Sequence, residues 1–470
     1  MSHLPPLCVD LDNTLVATDT LWESILLLLK THPLHSLLLP FWLFKGRAYF
    51  KHQIARYVTL DVTLLPYRQA VLDFIQAEAA QGRRLILATA AHYSIAEAVA
   101  KHLALFSEVI ATDEQTNMKG NTKGQTLSQR FSAYDYIGDC DADLAVLQGA
   151  QRKFVVGTPQ RVLKQLNWVP TQSFELPTPN IQVWLKLLRA HQWVKNSLIF
   201  LPLLFSQQFF DATKLQEALI AIIAFSLAAS SGYILNDLLD LAADRAHPTK
   251  KQRPFAAGLI PVQWGLPLIL CLMGISMLIS IMGLPSGFIH IVLLYLLITI
   301  TYSFYFKNKL ILDVLILAGL YTLRIFAGGL AVTVTISSWL LAFSMFIFIS
   351  LAFLKRYTEL LQLEGQVTIK GRDYQLEDQE MIASMGPASG YLAVLVFSLY
   401  ISSEQVKQLY NSAFILWLIC PLLLYWISRI WFLAHRGIML DDPVQFALMD
   451  KASWFTIVCI LVFIVLAQSL

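Results

Sequence analysis

Charged residues are scarce in this chain. Of its 470 residues only 14% are Asp, Glu, Lys or Arg, whereas 56% are hydrophobic. Soluble domains carry roughly a quarter charged residues, so the composition indicates a protein that lies largely in lipid. The apolar excess begins after about residue 180, and the preceding part has the composition of a globular domain. The net charge of +3 gives no reason to expect a nucleic-acid partner, because the basic residues occur in short separate groups.

Cysteine is also sparse, and the first residues lack the features of a signal peptide. The five cysteines lack the spacing of a metal or redox motif: Cys8, Cys140, Cys271, Cys420 and Cys459. Residues 1–6 contain neither the basic region nor the apolar core of a signal peptide. We therefore expect free thiols and an N-terminal domain that stays in the cytoplasm.

Residues 1–160 predict an α/β domain of Rossmann-like type. Short apolar strands end near Asp10, Thr89 and Gly138, a fourth strand candidate covers 153–157, and helical stretches alternate with them. This alternation favours a parallel sheet. Residues from about 17 to 80 are mostly helical and predict a small cap. Residues 161–184, rich in Pro, Thr and Gln, predict a linker.

The stretch Leu21–Phe44 is unusually apolar for a soluble domain. Lys30, two histidines and two prolines interrupt it, so a spanning helix is not expected. We interpret it as a cap helix packed on the domain, with docking onto the membrane surface as the alternative.

Residues 185–470 predict an all-α transmembrane bundle of about nine helices. Apolar segments long enough to cross ~30 Å of hydrocarbon are centred near residues 202, 224, 271, 294, 320, 346, 394, 421 and 461. With a cytoplasmic N-terminal domain, the connections after every second span are cytoplasmic. Those connections hold most of the basic residues: Arg245, Lys250, Lys251, Arg253, Lys307, Lys309, Lys355, Arg356, Lys370, Arg372 and Arg436. This bias predicts a multi-pass protein of the inner or plasma membrane with its polar motifs on the cytoplasmic face.

An ordered set of polar residues follows the N-terminal strands. Asp10 and Asp12 stand where the first strand ends, at the edge where α/β folds bind ligands, and Thr89 ends the second strand. Lys123 and the pair Asp139 and Asp143 come next, in Thr122-Lys-Gly and Gly138-Asp-x-x-x-Asp. This set resembles the haloacid dehalogenase-type phosphatases over residues 5–157.

The resemblance implies a phosphoric monoester hydrolase that depends on Mg²⁺. Asp10 is then the nucleophile that forms an aspartyl-phosphate, and Asp12 is the general acid and base. Thr89 and Lys123 hold the phosphoryl oxygens. The implied metal ligands are Asp10, the backbone carbonyl of Asp12, Asp139 and, directly or through a further ligand, Asp143. A degenerate domain retained for regulation or folding is the alternative.

The segment between the second and third predicted spans is rich in aspartate. Helical spacing predicts Asn236 or Asp237 on one face with Asp240 and Asp244, where the carboxylates repel one another unless cations lie between them. Further along the segment come two basic residues suited to closing over a diphosphate, Lys250 and Arg253. The segment closely resembles the first Asp-rich motif of the UbiA superfamily, and the resemblance extends from about residue 185 to the C-terminus.

A second polar region departs from the UbiA-type prenyltransferases that use a second aspartate cluster. Here Asp313 stands alone, since Leu317 occupies the position four residues on, and Lys307 precedes it. Arg324 lies about three turns further along the same predicted helix, in an apolar segment. An arginine there indicates an anion-binding site inside the bundle.

Two further basic motifs complete the pattern, Lys195-Asn196 and Lys355-Arg356. With the single aspartate and the intramembrane arginine, they resemble the polyprenyl-phosphate phosphoribosyltransferases within the superfamily. The resemblance implies phosphoribosyl diphosphate as donor, a polyprenyl phosphate as acceptor, and Mg²⁺ held by Asp237, Asp240 and Asp244. Lys355 and Arg356 are alternatively snorkelling residues that anchor a helix end, and Lys195 an interfacial anchor.

The leading hypothesis is a bifunctional membrane enzyme that transfers 5-phosphoribose to a polyprenyl phosphate and then removes the 5-phosphate. The alternative is a UbiA-type prenyltransferase with a prenyl diphosphate donor and an aromatic or lipid-pathway acceptor. A transporter or scaffold with a fused phosphatase is the third reading, although no inverted repeat with broken helices supports it. Asp441 and Asp442, before the last span, either shape the donor site or form a plain loop turn.

Overall fold

The computed structural model describes residues 4–157, 169–206, 208, 210–362, 373–439 and 442–469. It divides into two compact units. The first comprises residues 1–188 and 234–268, and the second comprises residues 189–233 and 269–470. Among the residues that carry sequence expectations, Lys370, Arg372 and Asp441 lie outside the described ranges.

A parallel sheet forms the centre of the first unit, as the sequence predicts. In the described residues it has six strands: β1 Leu7–Val9, β2 Leu85–His92, β3 Glu108–Thr112, β4 Asp135–Gly138, β5 Lys153–Val156 and β6 Gln172–Phe174. Their order across the sheet is β3-β2-β1-β4-β5-β6, and every neighbouring pair is parallel. Leu7 and Val9 pack into one apolar cluster and Cys8 into another, so β1 is buried on both faces.

Two of these strands are not among the predicted ones. Strand β3 has five residues and starts with the charged Glu108, as the predicted strands β4 and β5 also start with a charged residue, so its composition does not explain why it was not predicted. Strand β6 lies inside 161–184, which the sequence predicts to be a linker. Its pairing with β5 is a tertiary contact that local composition does not reveal.

The helical region after β1 is divided into short helices. They are Thr20–Thr31, Pro33–Ser36, Leu39–Phe44 and Arg47–Tyr57, followed by the 3₁₀ turn Val62–Leu64 and the helix Gln69–Ala80. The expectation of a single packed cap helix over Leu21–Phe44 is wrong, because Pro33 and Pro40 each stand in the first turn of a new helix. The remaining helices on the sheet are Tyr93–Leu103, Asn121–Arg130 and Cys140–Gly149.

Long apolar helices make up the rest of the chain. Eight helices in the described ranges are long and apolar enough to cross a membrane: Ala212–Leu239, Val262–Gly283, Gly287–Phe304, Leu312–Ala331, Ser338–Leu361, Leu376–Ser402, Ala413–His435 and Lys451–Ser469. Between them lie the shorter elements Leu241–Ala246, Lys250–Gln252, Phe306–Asn308, Glu404–Leu409 and Pro443–Met449. The protein is therefore an integral membrane protein with an all-helical membrane domain.

The predicted span near residue 202 is not one of these long helices. After the short helix Ile181–Leu187, the chain forms the 3₁₀ helix Ala190–Phe200 and the helix Leu201–Phe205. Pro202 has no N–H group and stands in the first turn of the latter, where a new helix starts. Because a 3₁₀ helix rises more steeply than an α-helix, the two pieces together extend about 30 Å.

Candidate functional site

A cluster of carboxylates stands at the carboxyl ends of β1 and β4. Asp10 directly follows β1, and Asp139 and Asp143 belong to the turn and helix that follow β4. One oxygen from each of these three residues lies within 4.8 Å of the other two. This carboxylate cluster has the geometry and the oxygen donors that a hard divalent cation such as Mg²⁺ requires. The sequence predicted these three residues as ligands, and the fold brings them together.

Lys123 lies in the same cluster, fully buried. Its amine is 3.2 Å from Asp10 Oδ1 and 2.8 Å from Asp143 Oδ1, and it donates a hydrogen bond to the Tyr136 hydroxyl at 2.8 Å. The Tyr136 hydroxyl in turn donates to Asp143 Oδ2 at 2.7 Å. Although burial opposes it, the two carboxylates raise the pKa of Lys123, which keeps the amine charged. Tyr136 was not predicted, because a strand tyrosine carries no signal of its own in the sequence.

Asp12 differs from Asp10 in its surroundings. Its Oδ1 accepts a hydrogen bond from the Thr20 N–H at 2.9 Å. Burial, together with the charge of Asp19, raises the pKa of Asp12 to about 7. A carboxyl group with this pKa holds a proton for part of the time at neutral pH, which suits proton transfer.

A cavity of about 330 Å³ opens beside these residues and is lined by both the sheet domain and the cap helices. Arg47, Lys51 and Lys119 supply positive charge to its wall. The Lys51 amine donates to the carbonyl of Ala90 at 2.6 Å, and burial lowers the pKa of Lys51 to about 8. Thr89 is buried in β2 and accepts the Ala91 N–H through its hydroxyl, and the neighbouring Ala90 and Ala91 line the cavity.

The Asp-rich segment, residues 236–253, lies in the first unit and begins at the end of the helix Ala212–Leu239. The helix stops at Leu239, and Asp240 becomes the N-cap residue of the next helix, Leu241–Ala246. The single continuous helix expected for Asp237, Asp240 and Asp244 is therefore interrupted at Asp240. The i, i+3, i+4 spacing does not reveal this interruption, because it assumes one helix throughout.

Protein cations offset the charge of these carboxylates. One guanidinium nitrogen of Arg253 is 3.0 Å from Asp237 Oδ1 and 2.7 Å from Asp244 Oδ2. Asp237 and Asp244 are buried and meet at this nitrogen, so their oxygens are close enough to share one cation. Lys250, in the 3₁₀ turn that precedes Arg253, donates its backbone N–H to His247.

Two residues of the helix Thr20–Thr31 contact the Asp-rich segment, and neither was predicted as a site residue. The Lys30 amine is 2.9 Å from Asp240 Oδ1. Glu23 accepts two hydrogen bonds from Arg245, at 2.8 and 2.6 Å, and both side chains are almost fully buried. In the sequence, each of them is a charged residue within an apolar helical run. Burying such a charge costs free energy unless it has a partner, and this was the available signal.

A close backbone approach supports the same contact. Gly258 has φ +68°, and a Cβ atom at this position would lie 2.4 Å from the Cβ of Ala17. Only glycine fits both the left-handed conformation and this distance. The start of the cap and the loop after the Asp-rich segment therefore pack directly against each other.

In the second unit, Arg324 is surrounded by polar and aromatic groups. Its Nε donates to Asn196 Oδ1 at 2.9 Å, and a terminal nitrogen contacts the Tyr295 hydroxyl at 3.3 Å. Its guanidinium carbon lies between 5.2 and 5.4 Å from the centres of three rings, those of Phe225, Tyr295 and Tyr321. These partners are uncharged, so the arginine retains its full positive charge inside the bundle.

Lys195 and Lys355 meet at one carboxylate. Their amines lie 2.7 and 3.4 Å from Asp442 Oδ2, and Lys195 also stands over the Tyr321 ring at 5.6 Å. The two lysines lower the pKa of Asp442 despite its burial, so it is ionised. The group carries one excess positive charge and is suited to hold an anion. Asp442 therefore contacts two of the basic residues that the sequence predicts to bind substrate.

Asp313 and Arg356 form a buried ion pair. Arg356 Nε is 2.9 Å from Asp313 Oδ2, and neither side chain is exposed. The Tyr374 hydroxyl donates to Asp313 Oδ1 at 2.6 Å, and Arg356 also pairs with Glu359. Lys307 is buried in the 3₁₀ turn before Leu312–Ala331, the helix that contains Asp313. Asp313 and Arg356, predicted to bind substrate, are thus held by each other and by protein groups.

Comparison with known proteins identifies the family. The UbiA prenyltransferase family matches residues 199–442, more than half of the chain. The chain belongs to the UbiA prenyltransferase family. Uncharacterized protein y4nM of Sinorhizobium fredii is 36% identical over 461 residues, 96% of this chain and 88% of that protein. Nodulation protein NoeC of Azorhizobium caulinodans is 36% identical over 276 residues, 58% of this chain and 88% of that protein.

Other relatives cover less of this UbiA-family chain. The decaprenyl-phosphate phosphoribosyltransferase of Mycobacterium tuberculosis is 34% identical over 179 residues, 37% of this chain and 59% of that protein. Among solved structures, a UbiA homolog from Archaeoglobus fulgidus bound to DMAPP and Mg²⁺ is 16% identical. The match covers 60% of this chain and 99% of the homolog, with a TM-score of 0.47.

Proposed function

We propose that this UbiA-family protein transfers 5-phosphoribose from phosphoribosyl diphosphate to a polyprenyl phosphate. The observation that carries the proposal is the excess positive charge among the described residues of the second unit, where Lys195 and Lys355 share the carboxylate of Asp442 and the described partners of Arg324 are uncharged. A lipid phosphate requires cations at this place, whereas a prenyltransferase that uses a second aspartate cluster would require a second group of carboxylates. The similarity to decaprenyl-phosphate phosphoribosyltransferases supports the same donor and acceptor.

The residues have separate tasks in this reaction. Asp237 and Asp244 would hold Mg²⁺, which offsets the charge of the donor diphosphate when bound, and Lys250 and Arg253 would bind diphosphate oxygens. An oxygen of the lipid phosphate forms the new bond to ribosyl C1, and the C1–O bond to the diphosphate breaks with its electron pair leaving on the diphosphate. The acceptor is already an anion, so no general base is needed.

We further propose that the N-terminal domain is a haloacid dehalogenase-type phosphatase, covering residues 1–160, that removes the 5-phosphate from the lipid product. Asp10 would attack phosphorus, and Asp12, with its raised pKa, would give its proton to the leaving ribose oxygen and then take one from the hydrolytic water. Lys123 would balance charge on the phosphoryl oxygens. The carboxylate cluster fits Mg²⁺, and Arg47 and Lys119 suit a substrate with a second phosphate.

Both activities would lie on the cytoplasmic face. The N-terminal domain and the Asp-rich segment share ion pairs within one unit, which supports a location on the same side of the membrane. In this topology the helix Ala212–Leu239 crosses the membrane once and the segment Ala190–Phe205 would cross it as well, with a summed helical rise of about 30 Å. The concentration of basic residues in the connections on this side supports a cytoplasmic location.

The transferase is tested with protein purified in detergent, Mg²⁺, a polyprenyl phosphate and radiolabelled phosphoribosyl diphosphate. We expect label in the lipid phase from the parent and at least a hundredfold less, an order-of-magnitude figure for removing a charge-stabilising group, from Asp237→Asn. Asp211→Asn, a change at an exposed aspartate at the start of the same helix, is the control and should transfer normally.

The prenyl diphosphate donor is tested in parallel. A folded parent that leaves the lipid unlabelled, but consumes labelled isoprenyl diphosphate, would overturn the phosphoribosyl donor and favour the prenyltransferase reading.

The link between the cap and the Asp-rich segment predicts that a residue of the N-terminal domain affects transfer. Glu23→Ala leaves the buried Arg245 without its carboxylate, which typically costs about 3–5 kcal/mol. We expect a lower unfolding temperature and at least a tenfold lower transfer rate, because Arg245 adjoins Asp244. Glu97→Ala, which removes an exposed glutamate from an i, i+4 pair, is the matched control. Equal transfer by the two variants would contradict the link.

A further inference from the structure

Two short helices of the cap present large apolar side chains outward. Leu34 and Leu37 in or beside Pro33–Ser36, and Phe41 and Phe44 in Leu39–Phe44, are largely exposed, with Phe44 90% accessible. The opposite side of the same segment is anchored, because Trp42 is buried and stacks on Tyr57 at 5.6 Å. We call residues 33–44 the apolar cap hairpin. It is amphipathic and fixed to the domain on one side only.

The position of the hairpin is set by the contacts of the preceding helix. Lys30, three residues before the hairpin begins, binds Asp240 at 2.9 Å. Asp240 is the residue directly after the membrane-crossing helix Ala212–Leu239. Lys30, Asp240, the hairpin and the end of this helix from residue 234 all belong to the first unit. The hairpin therefore starts beside the end of a helix that is long and apolar enough to cross a membrane, and the ends of such helices lie near the bilayer surface.

The charge around the apolar cap hairpin also favours the bilayer surface as its neighbour. No aspartate or glutamate occurs between Glu23 and Asp61, whereas that stretch contains Lys30, Lys45, Arg47, Lys51 and Arg56. Of these five, Lys45, Arg47 and Arg56 are exposed, whereas Lys30 pairs with Asp240 and Lys51 is buried. Exposed basic residues beside an apolar surface bind anionic lipid headgroups while the apolar side chains enter the acyl boundary. A protein partner with an apolar surface would not require this bias in charge.

The hairpin also borders the cavity that contains Asp10 and Asp12. Leu43 lines that cavity, as do Arg47, Phe50 and Lys51 of the following helix. The cavity wall therefore runs from the carboxylate cluster to the exposed apolar surface.

We propose that the apolar cap hairpin inserts into the bilayer surface and opens the N-terminal cavity toward it, so that the domain acts on lipid-linked phosphomonoesters. The choice of substrate class rests on the proposed phosphatase function, whereas the insertion itself does not. The lipid tail stays in the bilayer, and only the phosphorylated headgroup enters the cavity.

Insertion is measured without any enzyme assay. A nitroxide is attached to Phe44→Cys, in full-length protein with its five native cysteines changed to alanine, in nanodiscs of phosphatidylcholine and phosphatidylglycerol. The control is Val169→Cys, since Val169 is 89% exposed and lies in the same unit but outside the hairpin. We expect the label at position 44 to collide with oxygen and to be shielded from a water-soluble nickel chelate. Equal chelate access at the two positions would overturn the proposal, as would shielding that depends on protein concentration, which indicates a second copy of the chain.

The substrate class is measured with the Phe41→Ser, Phe44→Ser double variant in the native cysteine background. Hydrolysis of p-nitrophenyl phosphate, a soluble monoester, is expected to match the parent, which shows that the domain is folded and active. Hydrolysis of the phosphoribosylated lipid in nanodiscs is expected to fall about tenfold or more, because the two exposed aromatic side chains that would enter the bilayer are lost. Equal loss on both substrates, or no loss on the lipid, would overturn the lipid-linked class. Insertion of Phe44 in a parent that hydrolyses only the soluble ester would support the bilayer contact and remove the proposed dephosphorylation of the product.

Discussion

Asp10→Asn should abolish dephosphorylation while leaving transfer intact, so that the labelled lipid keeps its 5-phosphate. An asparagine side chain cannot form the aspartyl-phosphate, and losses of a nucleophile are on the order of a thousandfold or more. Asp10 lies in the carboxylate cluster of the first unit, where the Lys123 amine is 3.2 Å away. The measurement is chromatography of the labelled lipid with and without a separate phosphatase that supplies the missing step.

The control for this variant is Asp73→Asn, which changes an exposed aspartate of the same domain. It should yield lipid without the 5-phosphate, like the parent. Product from Asp10→Asn that lacks the 5-phosphate would contradict the assignment of Asp10 as nucleophile. If the parent itself leaves the phosphate in place, the two activities are not coupled on one substrate.

The second large effect concerns Asp313 and Arg356. Arg356→Met leaves the buried carboxylate of Asp313 without its cation, and breaking a buried pair in this way costs about 3–5 kcal/mol. Asp313→Asn should be similarly harmful, whereas the double variant Asp313→Leu, Arg356→Met replaces both charges by apolar groups and should recover most of the stability. Thermal unfolding in detergent measures the three variants against the parent.

The activity of the double variant shows whether Asp313 and Arg356 only stabilise the fold or also bind substrate. The pair is fully buried and held by Tyr374 and Glu359, so we expect the recovered protein to transfer label at a rate near that of the parent. A stable double variant with no transfer would show instead that Asp313 or Arg356 binds substrate, as the sequence predicts. Lys355→Met is the matched comparison, because Lys355 adjoins Arg356 in the chain yet pairs with Asp442, and it should lose transfer without losing stability.

The local order of residues predicted much of the N-terminal site. Asp10, Asp139 and Asp143 come together because parallel strands place their carboxyl ends at one edge of the sheet. The long apolar runs likewise predicted the membrane domain, since hydrocarbon tolerates few charges over the length of a crossing helix. The predicted span near residue 202 does not form one long α-helix. Ala190–Phe200 forms a 3₁₀ helix, and a short new helix starts at Pro202.

The tertiary structure alone decided which charged side chains form ion pairs with each other. Lys30 and Asp240 are separated by 210 positions in the chain, and Lys195 and Asp442 by 247, so no local pattern relates them. Asp313 and Arg356 show the same limit, since each carries a charge suited to substrate and the fold pairs them with each other. The sequence by itself determined which segments enter lipid and which residue types reach the strand ends, because burial and strand direction follow from local periodicity. Which charge neutralises which depends on distances between segments remote in the chain, and only the packed structure sets those distances.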